Sequence, residues 1–127
     1  MTNARKMPTK KAIKTYWANY LVKIEKFDSI DELFEADYCF ACGSIDDENT
    51  QYTERAHIKA RCNGGSDAVE NLHLLCSFCH KSSEFIEGDD YEKWFIKQNA
   101  FRMMIEANAH KITDDIIGML RKGGRND

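Results

Sequence analysis

Two CxxC pairs, Cys39-Phe40-Ala41-Cys42 and Cys76-Ser77-Phe78-Cys79, stand with 33 residues between them. Each pair forms a turn that aims two thiolates at one point, and four soft anionic ligands close a tetrahedral shell around Zn²⁺. Such a shell leaves no position for substrate. The spacing therefore predicts a structural zinc whose binding supplies folding free energy. A redox CxxC is the alternative, and the presence of two pairs counts against it. Between and beside the pairs lie the other residues able to do chemistry: His57 in AHI, the glycine pair Gly64-Gly65, Asn71 ahead of an apolar run, and His80 directly after Cys79. The fifth cysteine, Cys62, reads as a small, partly buried thiol.

These residues need elements to hold them. TERAHI is a short strand candidate, and NLHLLC is a second. KARCNGGSDAVE between them is a loop, with the glycine pair and Asp67 as turn signals. A helix is predicted to start near Ser77 and run past Glu84. A histidine then stands at each end of a strand–loop–strand–helix unit, and the two can converge on one cleft. Upstream, Ile13, Tyr16-Trp17, Tyr20-Leu21 and Ile24 recur at helical spacing with lysines on the other face, and Thr9 is placed to cap that helix. Ser29 or Asp31 could cap a short helix carrying Leu33 and Phe34. Cys39 to Cys42 reads as a zinc knuckle closed by Gly43, followed by a polar loop. Downstream, a turn at Glu87-Gly88-Asp89 precedes a predicted helix from about Tyr91 to Ala109, with Trp94, Phe95, Phe101, Met104 and Ile105 as its buried stripe. A last helix carries Ile112, Ile116, Ile117 and Leu120, and the tail RKGGRND is expected to fray. His73 in NLHLL is a strand position open to almost any side chain, and not a ligand. His110 reads as a C-terminal cap or surface residue.

The 127 residues suffice for one domain. It divides into a basic helical arm (about 1–36), a zinc-bearing core (about 38–86) and C-terminal helices (about 89–121). Apolar residues at 43% and charged residues at 31%, with one proline, describe a helix-leaning globular chain rather than a disordered one. No apolar run approaches a membrane span, and the N-terminus lacks the apolar stretch of a secretory signal. Paired cysteines without such a signal point to a reducing, cytoplasmic setting. The net charge is −3 but unevenly placed. Residues 1–27 carry net +6 and residues 28–54 net −9, while residues 55–127 balance. The basic arm could meet phosphate or form a solvated helix face.

Taken together, His57 in AHI, Gly64-Gly65, Asn71 in ENL and His80 in LCSFCH resemble the HNH family of nucleases, over about residues 38–86. The resemblance implies an α+β fold: a ββα-metal core stapled by the four-cysteine zinc site and flanked by helices. It implies a metal-dependent endonuclease that hydrolyses DNA phosphodiester bonds. His57 would be the general base, its second ring nitrogen held by a backbone carbonyl. Asn71 would brace the loop carrying His57. His80 would bind a catalytic Mg²⁺ or another divalent ion, which stabilises charge on the phosphate and leaving oxygen.

One position departs from the pattern. The residue before the base is often an Asp or His that binds the same metal, and here it is Ala56. Glu84, four residues after His80 on the predicted helix, is the expected replacement. Glu54, on the strand face of Ala56, is the weaker candidate. Arg55 shares the strand face of His57 and could contact the scissile phosphate. The rival readings are a zinc-stabilised nucleic-acid-binding module that has lost catalysis, which Ala56 keeps alive, and a purely structural zinc domain.

Overall fold

A two-stranded antiparallel sheet and the helices packed around it position the site; the computed structural model describes residues 6–45, 53–102, 104, 105, 108 and 109. Strand β1 (Glu54–His57) pairs with β2 (Leu72–Leu75), setting Glu54 opposite Leu75, Ala56 opposite His73 and His57 opposite Leu72. Helix α3 (Ser77–Ser82) follows β2 after a single residue, Cys76. All four β2 residues are buried, so the strand is covered on both faces. The mixed α+β fold with a ββα centre is the one expected.

Helix α1 (Lys10–Lys23) begins at Thr9, whose hydroxyl accepts from the Ala12 N–H at 3.1 Å. It buries Ile13, Ala18 and Leu21. Trp17 reaches from it to the sheet, its indole N–H shared between the carbonyls of Val69 and Leu72. Lys14 departs from the expected polar face. Its ammonium is drawn inward to Asp37 Oδ1 at 2.7 Å and the Ala36 carbonyl at 3.0 Å. That contact holds the Asp37 carboxyl below the usual carboxylate range. Helix α2 (Ile30–Glu35) is capped by Ser29 rather than Asp31 and buries Leu33.

The segment after α2 joins the sheet. The Phe40 N–H donates to the Leu74 carbonyl at 2.7 Å, which lays the first cysteine pair along β2. Gly43, at φ +79°, closes the turn, its N–H bonded to the Cys39 carbonyl.

Three expectations on the C-terminal side need correcting. Helix α3 stops at Ser82, before Glu84, because the Ser83 hydroxyl turns back to the His80 carbonyl at 3.1 Å and the chain folds over into a turn. The helix expected from Tyr91 to Ala109 starts earlier and breaks early: α4 spans Gly88–Lys97 and ends where Gln98 becomes extended. Asn99 then accepts from the Arg102 N–H at 2.8 Å, and residues 100–102 are helical again. Tyr91, Trp94 and Phe95 are buried, but Phe101 (74%), Met104 (57%) and Ile105 (51%) are exposed, because the break at Gln98 separates them from the stripe. His110, the last helix with Ile112, Ile116, Ile117 and Leu120, and the tail lie outside the described residues. No described helix is long and apolar enough to cross a membrane.

Candidate metal and catalytic site

The two CxxC turns meet beside β2. The Sγ atoms of Cys39, Cys42, Cys76 and Cys79 all lie within 4.8 Å of one another, and Cys42 and Cys76 are 3.8 Å apart. A tetrahedron with Zn–S bonds near 2.3 Å has S–S edges of about 3.8 Å. All four are buried and unpaired by disulfide. Packed together as thiols they conflict. Burial pushes Cys39 up, hydrogen bonds from neighbouring thiols pull Cys42 down to about 6 and Cys76 lower still, and the same neighbours push Cys79 up. A divalent cation would resolve that conflict, so the donor set fits a zinc staple. The Cys42 and Cys79 N–H groups face the Cys39 and Cys76 sulfurs, as in a metal knuckle.

Two residues the sequence did not flag enclose this cluster. Gln98, buried at the end of α4, donates from Nε2 to Cys79 Sγ at 3.6 Å. The Lys26 ammonium donates to the carbonyls of Ala41 and Gln98 and lies 5.1 Å over the Phe95 ring. Burial lowers its affinity for the proton, and the nearby Cys39, Cys79 and Cys42 raise it. No local motif announces either residue, because only tertiary packing brings them to the sulfurs.

His57 closes β1, and its Nε2 lies 2.8 Å from Asp67 Oδ1. The partner is a side-chain carboxylate, where a backbone carbonyl was expected. Asp67 reads as a turn residue in the sequence. Its one signal was being a carboxylate next to the glycine pair in a loop that leaves and rejoins one hairpin. Asn71 clamps that loop from its far end. Its Oδ1 accepts from the Lys59 N–H at 2.8 Å, and its Nδ2 donates to the carbonyls of Lys59 (3.0 Å) and Ser66 (2.8 Å). Gly65 makes the close crossing possible: a Cβ there would sit 1.8 Å from the Lys59 carbonyl oxygen. Glu87 pins the outer part of the loop, accepting from Asn63 Nδ2 at 2.9 Å and from the Ala60 N–H.

His80 stands on α3 over a cleft of ≈ 260 Å³ lined by Glu54, Ser77, His80, Lys81 and Glu84. Its Nδ1 lies 3.1 Å from Glu54 Oε1. Glu84 reaches the same cleft from the turn after α3, although the helical argument that singled it out fails. One imidazole and two carboxylates suit a divalent ion in kind. Among the described residues, however, only the four cysteines bring three or more such ligand atoms within 4.8 Å. His57 is not among the residues lining this cleft. Ala56 is buried and offers nothing to it.

Three other side chains depart from expectation. Arg55 is engaged, its Nε donating to the Pro8 carbonyl at 2.9 Å. Cys62 is exposed rather than partly buried. His73 is not at a permissive position: it is 3% exposed among the rings of Trp17, Phe40, Tyr91 and Phe95, with Nδ1 2.7 Å from the Tyr91 hydroxyl. It is a strand residue outside the cysteine cluster, as read.

Residues 39–84 match the family model described as HNH endonuclease. The match runs from Cys39 to Glu84 and takes in both cysteine pairs, His57, Asn71 and His80. This stretch is therefore similar to the HNH endonuclease family, and it carries a four-cysteine cluster compatible with a zinc staple. No curated protein and no solved structure matches the chain.

Proposed function

We propose that this HNH domain is a metal-dependent endonuclease acting on DNA, with His57 as general base. The observation that carries the reading is the arrangement on one ββα unit. His57 ends β1, its loop is clamped by Asn71, and His80 on α3 overhangs a cleft shared with two carboxylates. A divalent ion bound there would stabilise negative charge on the phosphate and the leaving oxygen. His80 and Glu84 are the residues we assign to hold it. Glu54 takes Nδ1 of His80, which leaves Nε2 for the ion, as carboxylates commonly do behind metal-bound imidazoles. His57 takes a proton from water as that water's oxygen forms a bond to phosphorus. The bond from phosphorus to the opposite ester oxygen breaks, and that oxygen is protonated by solvent.

Plasmid DNA tests this reading directly. The parent should nick or linearise it only when Mg²⁺, Mn²⁺ or a similar ion is added. His57→Ala should lose about 10²–10⁴-fold in rate while keeping its fold and DNA affinity. Near-parent turnover by His57→Ala would sink the assignment. Glu84→Gln should raise the metal needed for half-maximal rate. If it is silent while Glu54→Gln is not, the carboxylate ligand comes from β1. Buried Ala56, which cannot serve as a ligand, favours one alternative: a zinc-stabilised module that binds nucleic acid without cutting. Salt-sensitive binding with no cleavage under any added metal would select it.

A further inference from the structure

We infer that Asp67 is the positioning residue of His57 and makes Nδ1 the ring atom that accepts the proton. The inference rests on the reading of His57 as general base. An ionised carboxylate only accepts hydrogen bonds, so a contact of 2.8 Å between Asp67 Oδ1 and His57 Nε2 places the ring's N–H at Nε2. A neutral imidazole has one N–H and one lone pair. The lone pair therefore sits on Nδ1. When His57 gains a proton, Asp67 is already beside the new positive charge, with both side chains about three-quarters or more covered. Water screens such a pair less than it screens a surface pair.

The loop is built to deliver this carboxylate. Gly65 crosses against the Lys59 carbonyl, and Asn71 holds the Ser66 carbonyl, one residue before Asp67. The Ser66 hydroxyl accepts from the Ala68 N–H at 3.3 Å, one residue after it. Arg61 Nε lies 3.6 Å from the same Oδ1 and counters its charge. Asn71, which holds the loop through Lys59 and Ser66, thus acts on the base through Asp67.

The experiment uses the full chain with zinc bound and ¹⁵N-labelled histidine. Long-range ¹H–¹⁵N correlation reads which ring nitrogen is protonated, with the His57 signal assigned by its loss in His57→Gln. The parent should show a protonated Nε2 and a bare Nδ1. In Asp67→Ala the ring should relax toward the mixed tautomers of a free imidazole. The kcat for plasmid cleavage should fall at least tenfold, with KM and zinc content unchanged. Asp67→Asn, which keeps the side chain's shape, serves if Asp67→Ala does not fold, and its kcat should fall in the same way. A parent ring protonated at Nδ1 overturns the inference, and so does an Asp67 variant with parent tautomer and parent kcat. If His57→Ala cleaves like the parent, the base assignment itself is lost and Asp67's catalytic role with it, even where the tautomer is as expected.

Discussion

An imidazole does different things at His57, His73 and His80 because each meets a different neighbour. His57 and His80 each have one nitrogen against a carboxylate, from Asp67 and Glu54 respectively, and both remain within reach of water. His73 is shut among aromatic rings, and burial pushes it down to about 3, so it is a neutral packing residue. The residue with most leverage on the loop is Asn71, whose amide satisfies three backbone groups at once. Asn71→Ala leaves those groups unpaired. It should cost about 2–4 kcal/mol in urea denaturation, since each such bond contributes roughly 1 kcal/mol net and stranded partners add to the loss. A loss within error of zero would mean that water replaces the amide and that the loop does not depend on it.

At the scale of elements, the cysteine cluster joins three parts of the chain: the knuckle after α2, the β2–α3 junction and the end of α4. The protein is expected to purify with one tightly bound zinc. Cys76→Ser should lose it and unfold at a markedly lower temperature, because metal binding is coupled to folding. Full thermal stability in a zinc-free preparation would refute the staple. Four thiolates around one Zn²⁺ leave two negative charges, which the half-buried Lys26 ammonium and the Gln98 amide N–H face. Residues behind metal ligands typically contribute about 10–100-fold to metal affinity. Gln98→Leu should therefore release zinc to a competing chelator about tenfold faster, with α4 still helical by circular dichroism. Unchanged release would reduce Gln98 to a helix-ending packing residue.

For the molecule as a whole, His73 creates a pH dependence of stability. Its folded value, about 3, lies below the ordinary 6.5, so the unfolded chain binds more protons between those limits. The stability due to neutral burial is full above about 6.5 and is lost as pH falls toward 3, with a slope of at most ~1.4 kcal/mol per pH unit. His73→Phe removes the titration, so the stability difference between parent and variant should change across pH 6.5 to 3 and stay flat above it. Taking the difference also cancels any zinc loss common to both proteins. A constant difference down to pH 4 would show that His73 is protonated, or exposed, in the folded state. The basic arm is also less free than its charge implies, since Lys14 is tied to Asp37 and Lys26 to two carbonyls.

What the sequence determined by itself is local or covalent in origin. The CxxC turns, the Thr9 cap, the strand–loop–strand–helix order and the glycine-bearing loop depend on neighbours a few residues away, where spacing and residue type dictate geometry. The long separation between the two cysteine pairs was also legible, because metal chemistry requires four ligands wherever they lie in the chain. Tertiary structure decided the rest. Helical periodicity continues through Gln98, but there the backbone turns extended and the amide packs against Cys79, so α4 ends at Lys97 and Phe101 and Met104 stand exposed. Glu84 reaches the His80 cleft by a turn and not by a helix face. Whether His57 faces a carbonyl or a carboxylate depends on where the loop brings the chain back ten residues later, and no local rule encodes that meeting.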